Sequence, residues 1–124
     1  MARSRIEGLG DALRAVGRIP RAMREARTET LHEWAETVQD GAEARVPRRT
    51  GDLWASLDHQ VDERYGRARV GVWEEDQLEY AIYVEKGTSS MPDQPYLVPA
   101  FNEARPSVPA KYRAAFRRQM GRGE

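Results

Sequence analysis

The stretch that decides the fold runs from Tyr80 to Phe101 and reads YAIYVEKGTSSMPDQPYLVPAF. Aromatic and β-branched side chains alternate over Tyr80–Val84, which predicts a strand. Gly87 ends the alternation, and three prolines then fix the backbone and push the residues before them towards extended conformations. The pattern indicates a loop held in one shape between a strand and a helix that is entered at Pro99, and it contains no catalytic group.

Two more strands are expected upstream of this stretch. They cover Leu57–Tyr65 and Ala68–Trp73, with Gly66 as the hairpin turn between them. The acidic segment Glu74–Glu79 then connects the hairpin to the strand at Tyr80. Three consecutive antiparallel strands of this kind would form a meander.

Apolar residues spaced three and four apart predict helices before the sheet. The first covers Ile6–Ile19 and a stronger one covers Arg21–Ala44, and Pro20 is expected to end the first helix or to kink it into the second. A short helix follows, with Thr50 or Asp52 as its cap. We expect it to bring three side chains into the core: Leu53, Trp54 and Leu57.

After the loop, a final helix is predicted by an apolar stripe made of Tyr112, Ala115, Phe116 and Met120. The predicted fold is therefore α+β, with a long N-terminal helix and a C-terminal helix packed on a small antiparallel β-meander. We expect a single domain over residues 1–124, comprising an N-terminal helix or arm (1–20), a core (21–105) and a basic C-terminal helix and tail (106–124).

The composition is globular but lean in apolar residues. The chain has 124 residues, of which 40% are hydrophobic and 32% charged, so it is expected to bury further surface on partners. No apolar run approaches the roughly 20 residues that span a bilayer, and no membrane partner is expected. Without cysteine the chain has no disulfide and no thiolate metal site, which fits assembly in a reducing cytoplasm.

The net charge of zero hides a segregation of charge along the chain. Residues 1–27 carry seven arginines and three acids, and residues 105–124 carry six basic residues and one acid. The segment 28–104 carries seven basic and sixteen acidic residues. Basic ends around an acidic body favour either complementary contacts between copies or simply solvated, Arg-rich helix faces.

Residues with catalytic chemistry are few and poorly placed. His32 lies in a sequence similar to a zinc-protease helix, but Glu36 stands where the second histidine would be needed. Asp58 and His59 could serve a small hydrolase, although no serine lies in a nucleophile context. We therefore predict a protein that is not an enzyme and that uses no metal and no cofactor.

Binding of nucleic acid is a stronger alternative. Arginines recur at helical spacing near the N-terminus, and a second group lies near the C-terminus, so that both could meet phosphates. The neutral total charge and the absence of a helix-turn-helix or RNA-binding aromatic pattern count against a dedicated nucleic-acid-binding module. The arginines concerned are Arg14, Arg18, Arg21 and Arg24, and then Arg113, Arg117 and Arg118.

Two segments together resemble a known family. The first contains Val46-Pro47, Thr50-Gly51-Asp52-Leu53 and Ser56-Leu57, and the second contains Tyr80-Ala81, Val84-Glu85, Gly87-Thr88, Met91-Pro92, Gln94-Pro95-Tyr96-Leu97 and Pro99-Ala100. In this order they resemble the gene-ten-type minor tail-component family of lambda-like, long-tailed bacteriophages. The resemblance covers about residues 35–105, with Lys86 where an aromatic residue is common and Tyr96 where phenylalanine is.

The resemblance implies a structural virion protein. Members of the family would form a ring at the head–tail junction, as a neck (head-to-tail connector) or tail-completion protein that joins the capsid portal complex to the tail around the DNA path. A tail terminator ring capping the tail tube is the alternative. The implied partners are further copies of the chain in a hexamer or dodecamer, other connector and tail proteins, and nearby packaged DNA, in a virion assembled in the host bacterial cytoplasm.

The residues expected at contacts belong to the stiff loop, because a loop that is already ordered loses little entropy on docking. An acidic segment on the lumen wall would repel DNA and let it slide. The expected inter-subunit contacts are Gly87, Thr88, Met91, Pro92, Gln94, Pro95, Tyr96 and Pro99, and the expected lumen residues are Glu74, Glu75 and Asp76.

Overall fold

The computed structural model describes residues 2–47, 51–90 and 92–122, with side chains from Gly8 onward. Their fold is α+β with a long N-terminal and a C-terminal helix, which confirms the class predicted from the sequence. In chain order the elements are α1 (Ala2–Arg45), α2 (Gly51–Ser56), β1 (Leu57–Asp62), β2 (Arg67–Val72), α3 (Glu75–Lys86), α4 (Leu97–Ala104), a 3-10 turn (Arg105–Ser107) and α5 (Val108–Arg122).

Helix α1 continues through Pro20, so the prediction that this proline ends a first helix is wrong. Proline lacks an N–H group, and the carbonyl of Val16 therefore loses its usual partner one turn later. Val16 and Pro20 are both exposed, and water can hydrate that carbonyl. Placing the proline on the solvated side of the helix lowers the cost of the missing hydrogen bond.

The hairpin is present where it was predicted, but β1 ends earlier, at Asp62, and β2 is shifted by one residue, to Arg67–Val72. β1 and β2 pair antiparallel in a register that sets Leu57 opposite Val72 and Asp62 opposite Arg67. Gly66 lies in the turn with φ 64°, a conformation that side chains with a Cβ rarely adopt. A single residue without a Cβ therefore allows the chain to reverse.

The prediction of a third strand in the meander is wrong, because Tyr80–Val84 lies inside helix α3. Ala81 and Val84 are buried, and Tyr80 and Ile82 are exposed, which is helical rather than alternating periodicity. The acidic segment is not a connection but the first turn of this helix, where negative charge favours the positive end of the helix dipole. The described sheet is thus a two-stranded hairpin.

The described residues form two compact units. One comprises Leu31–Val108, and the other comprises the residues up to Thr30 together with those from Pro109 onward. We call them the sheet unit and the helical unit. No observation tests whether they behave as one domain, which stays a prediction.

The sheet unit has a core of large and small side chains in which Leu53 is fully buried and Leu57 nearly so. The expectation that Trp54 joins this core is wrong, since it is exposed, and Thr50 lies outside the described residues. Helices α1 and α4 approach closely here, because a Cβ at Gly41 would lie 3.2 Å from that of Ala100. The remaining members of this core are Val38, Ala42, Val46, Ala81, Val84, Tyr96 and Ala104.

Candidate assembly surface

The proline-rich loop begins where α3 stops. Gly87 has φ 79°, and its N–H donates to the carbonyl of Tyr83 at 2.7 Å. With ψ at 173°, this positive-φ conformation is one that glycine adopts readily because it has no Cβ. One end of the loop is therefore fixed by the last turn of α3.

The other end is held by the carboxylate of Glu85. One carboxylate oxygen accepts hydrogen bonds from the backbone N–H groups of Tyr96 at 3.1 Å and Leu97 at 2.8 Å, and the other accepts from Val98 at 3.3 Å. The first N–H groups of a helix have no partner within it, and negative charge is favourable at that end. Glu85 on α3 thus caps α4, which begins at Leu97 rather than at Pro99.

Tyr96 anchors the loop in the core. Its ring is buried, and its hydroxyl donates to the carbonyl of Ala81 at 3.1 Å. Burial, and then the nearby Glu85 carboxylate, raise the pKa of Tyr96 to about 12. The N–H of Gln94 also donates to the carbonyl of Val84 at 2.8 Å. These contacts hold the C-terminal part of the loop against α3.

The described sequence-predicted contact residues lie in the loop, apart from Pro99 in the first turn of α4, and they differ in exposure. Thr88, Pro92 and Pro95 are exposed, whereas Tyr96 is buried beneath them. Three others are half-buried, namely Gly87, Gln94 and Pro99, and Met91 lies outside the described residues. That these residues contact a neighbouring subunit stays a prediction.

The acidic residues predicted to face the lumen lie at the start of α3, and all are exposed. Glu74 is the N-cap residue and accepts a hydrogen bond from the Ser56 hydroxyl at 3.3 Å. Glu75 and Asp76 occupy the first turn. Their stabilisation of the helix start is sufficient reason for their presence, and their placement towards DNA stays a prediction.

An apolar groove in the sheet unit was not predicted from the sequence. It has a volume of about 500 Å³ and lies between α1, β2 and α4. Trp34 and Phe101 meet edge to face on its wall, with ring centroids 5.7 Å apart. The groove is lined by Trp34, Val38, Ala68, Arg69, Val70, Gly71, Val72, Trp73, Leu97, Val98 and Phe101.

Large apolar side chains of this groove remain in contact with solvent. Val98 is 55% exposed, Phe101 is 42% exposed and Trp73 is 39% exposed. The sequence signal was the apolar run Leu97-Val98 and Phe101, because α4 also buries Ala100 and Ala104 on its other face. A helix that is apolar on both faces has more than one surface to cover.

The residues considered for catalysis do not form a catalytic constellation. The Asp58 carboxylate accepts the backbone N–H of His59 at 2.8 Å, while the His59 ring faces the side-chain amide of Gln39. His32 lies 2.9 Å from a carboxylate oxygen of Glu63 instead. Within the described ranges, no group of three or more histidine and acidic side chains is arranged to hold a metal ion.

Comparisons with known proteins agree with the motif resemblance. A family model described as "Bacteriophage HK97-gp10, putative tail-component" matches residues 10–87. The match includes much of the Arg-rich N-terminal segment, which the motifs did not cover, and it stops before most of the proline-rich loop. Comparison with curated proteins and with solved structures gave no match.

The helices of the described residues include none that is both long and apolar enough to span a membrane. The match to the family model extends over residues 10–87, which is more than half of the chain. This protein therefore belongs to the HK97-gp10-like family of bacteriophage tail components, which gives it a structural role in the virion.

Proposed function

We propose that the protein is a subunit of a homo-oligomeric ring at the head–tail junction, acting as a neck or tail-completion protein. The ring would join the capsid portal complex to the tail and surround the DNA path, contacting other connector and tail proteins. The observation that carries this proposal is the apolar groove, whose wall residues Trp73, Val98 and Phe101 stay exposed among the described residues of the sheet unit.

The groove and the proline-rich loop share a helix. Val98 lines the groove and also donates its N–H to Glu85, which holds the loop. A neighbouring subunit that covers Val98 would thus be close to Pro95 and Pro99. Burying an exposed valine or phenylalanine contributes roughly 1.5–3 kcal/mol, and an ordered loop loses little entropy on docking.

A head-to-tail contact suits a ring better than a symmetric pair. A contact between two different surfaces closes into a ring when the rotation allows it, whereas a contact between two copies of one patch gives a symmetric pair. The acidic start of α3 would then be available to line a lumen. This placement is part of the proposal.

Assembly can be tested with a matched pair of variants on α4. Val98→Asp adds a charge inside the groove, and Asn102→Asp adds the same charge at an exposed position of the same helix that does not line it. We expect the unmodified protein and Asn102→Asp to form closed rings by native mass spectrometry and electron microscopy, and Val98→Asp to remain monomeric.

Two outcomes would contradict the proposal. The unmodified protein could stay monomeric when mixed with its connector and tail partners, which would contradict the ring. Alternatively, Val98→Asp could assemble as well as Asn102→Asp, which would show that the groove is not part of the contact between subunits. Imaging of the particle with labelled subunits would show whether the ring lies at the junction or at another level of the tail.

A further inference from the structure

A cavity of about 520 Å³ lies within the helical unit, and its walls carry an excess of positive charge. Helix α1 contributes two arginines, Arg18 and Arg21, and α5 contributes Arg122. The single acidic side chain in the wall is Glu25. The wall therefore carries three guanidinium groups and one carboxylate, so positive charge is in excess.

The arginines of the cavity wall are not neutralised by the ion pairs that the helical unit contains. Two ion pairs of the helical unit join Arg14 to Asp11 and Arg118 to Glu29, and neither involves an arginine of the cavity wall. The Nε atom of Arg18 is buried and has no hydrogen-bond partner among the described residues. A buried donor of a charged group is costly when left unsatisfied, so an acceptor that reached this atom would be stabilising.

The geometry points to a phosphate group as the ligand of this cavity, and we propose that in the particle the phosphate belongs to the DNA backbone. The guanidinium fork donates two parallel hydrogen bonds to a phosphate, and the several oxygens of one phosphate can accept from more than one arginine. DNA as the source rests on the proposed function, in which the ring surrounds the DNA path.

The set of arginines is different from the one indicated by helical spacing. Spacing groups Arg14 and Arg24 with Arg18 and Arg21, but only the last two line the cavity. On α5 the cavity uses Arg122 rather than Arg113, Arg117 or Arg118. The convergence of two helices, rather than the basic charge of each end, defines the site.

Matched double variants separate this site from general basic charge. Arg21→Gln with Arg122→Gln removes one arginine of the cavity from each helix. Arg24→Gln with Arg117→Gln removes one exposed arginine from each helix outside the cavity. Both variants lose the same charge, and none of the four residues is buried.

The measurement is fluorescence anisotropy of a short labelled DNA duplex of random sequence with the full-length protein over a series of salt concentrations. We expect the cavity variant to bind at least about tenfold more weakly than the unmodified protein. The slope of its plot of log affinity against log salt should be smaller in magnitude by about 2. The control variant should match the unmodified protein. Arg18→Lys should also weaken binding, since lysine keeps the charge but loses the fork.

Competition distinguishes the possible sources of the anion. Inorganic phosphate or pyrophosphate should displace the duplex from the unmodified protein. It should not displace the residual duplex binding of the cavity variant. This result would support a phosphate site. Displacement by poly-glutamate at equal charge concentration would overturn it in favour of an acidic protein segment. Equal loss in both double variants, or no binding of duplex and phosphate at all, would also overturn it.

Ring assembly of the same variants keeps this inference separate from the proposed function. If rings form and the cavity variant binds DNA normally, the phosphate site fails and the ring stands. If no rings form but DNA and phosphate bind through the cavity, the ring fails and the phosphate chemistry stands, with its source in the particle no longer assigned. Thermal unfolding monitored by circular dichroism confirms that each variant is folded.

Discussion

The sheet unit and the helical unit bury very different side chains. In the sheet unit, Leu53, Val38 and Tyr96 are almost completely removed from solvent. In the helical unit, the buried residues among those described are small, namely Ala22, Ala26, Thr30 and Ala115. Because hydrophobic stabilisation follows the apolar area removed from water, the sheet unit gains much more from its own packing.

The helical unit leaves several large apolar side chains of α1 exposed. Leu9, Leu13 and Val16 on α1 are each about 60% exposed, although their spacing is that of an amphipathic stripe. The same pattern that predicts a core face therefore marks, in this unit, a face without cover among the described residues. The difference indicates that the sheet unit is stabilised by its own core, whereas the helical unit depends more on contacts with other molecules.

The largest effect on stability is expected from the centre of the sheet unit. Leu53→Ala removes a fully buried side chain and leaves a cavity, which should lower the free energy of unfolding by about 2–5 kcal/mol. Chemical denaturation of the monomeric protein measures this. The neighbouring exposed Trp54→Ala is the control, and an equal loss in both variants would contradict the burial difference on which the comparison depends.

The next effect is expected from the cap between α3 and α4. Glu85→Ala leaves the N–H groups of Tyr96, Leu97 and Val98 without their acceptor, at a cost of about 1–3 kcal/mol. We expect faster hydrogen exchange in the loop and at the start of α4. Glu79→Ala on the same helix, whose carboxylate accepts only from the exposed Tyr83 hydroxyl, should leave this region unchanged.

A smaller, pH-dependent effect is expected at Tyr96. Its pKa rises from 10.0 to about 12 on folding, so the unfolded chain loses this proton first as the pH increases. The stability that the neutral phenol provides is fully present below pH 10 and is lost as the pH rises towards about 12.

The change that tests this assignment is Tyr96→Phe. The variant should lose about 0.5–1.5 kcal/mol at neutral pH with its hydrogen bond to Ala81, and it should show less alkaline destabilisation between pH 10 and 12. Denaturation curves over this pH range provide the measurement. If the alkaline destabilisation were unchanged in the phenylalanine variant, groups other than Tyr96 would be its cause.

The smallest effect on the isolated chain is expected in the helical unit. Leu13→Gln exchanges an exposed side chain, so the free energy of unfolding should change by less than about 0.5 kcal/mol. If the stripe is covered in the assembly, the same variant should assemble less well by native mass spectrometry. A large loss of stability in the monomer would show instead that the stripe is already buried.

Sequence patterns were sufficient for most of the secondary structure. The helix signals of α1 and α5 and the turn at Gly66 depend on residues a few positions apart, and such local preferences can be read directly. Sequence patterns failed at Tyr80–Val84. There the strand-like alternation competed with two helix signals, the acidic residues before the segment and Lys86-Gly87 after it. Those start and stop signals of a helix were present in the sequence, and the aromatic and β-branched residues obscured them.

The sequence by itself determined the α+β class, the charge segregation and the membership of a tail-component family, because each depends on residue type and order alone. Only the tertiary structure decided that Glu85 caps α4, that Trp73, Val98 and Phe101 share an apolar groove, and that Arg18, Arg21 and Arg122 share a cavity. These features join residues far apart in the chain, and their meeting depends on how whole elements pack rather than on any local preference.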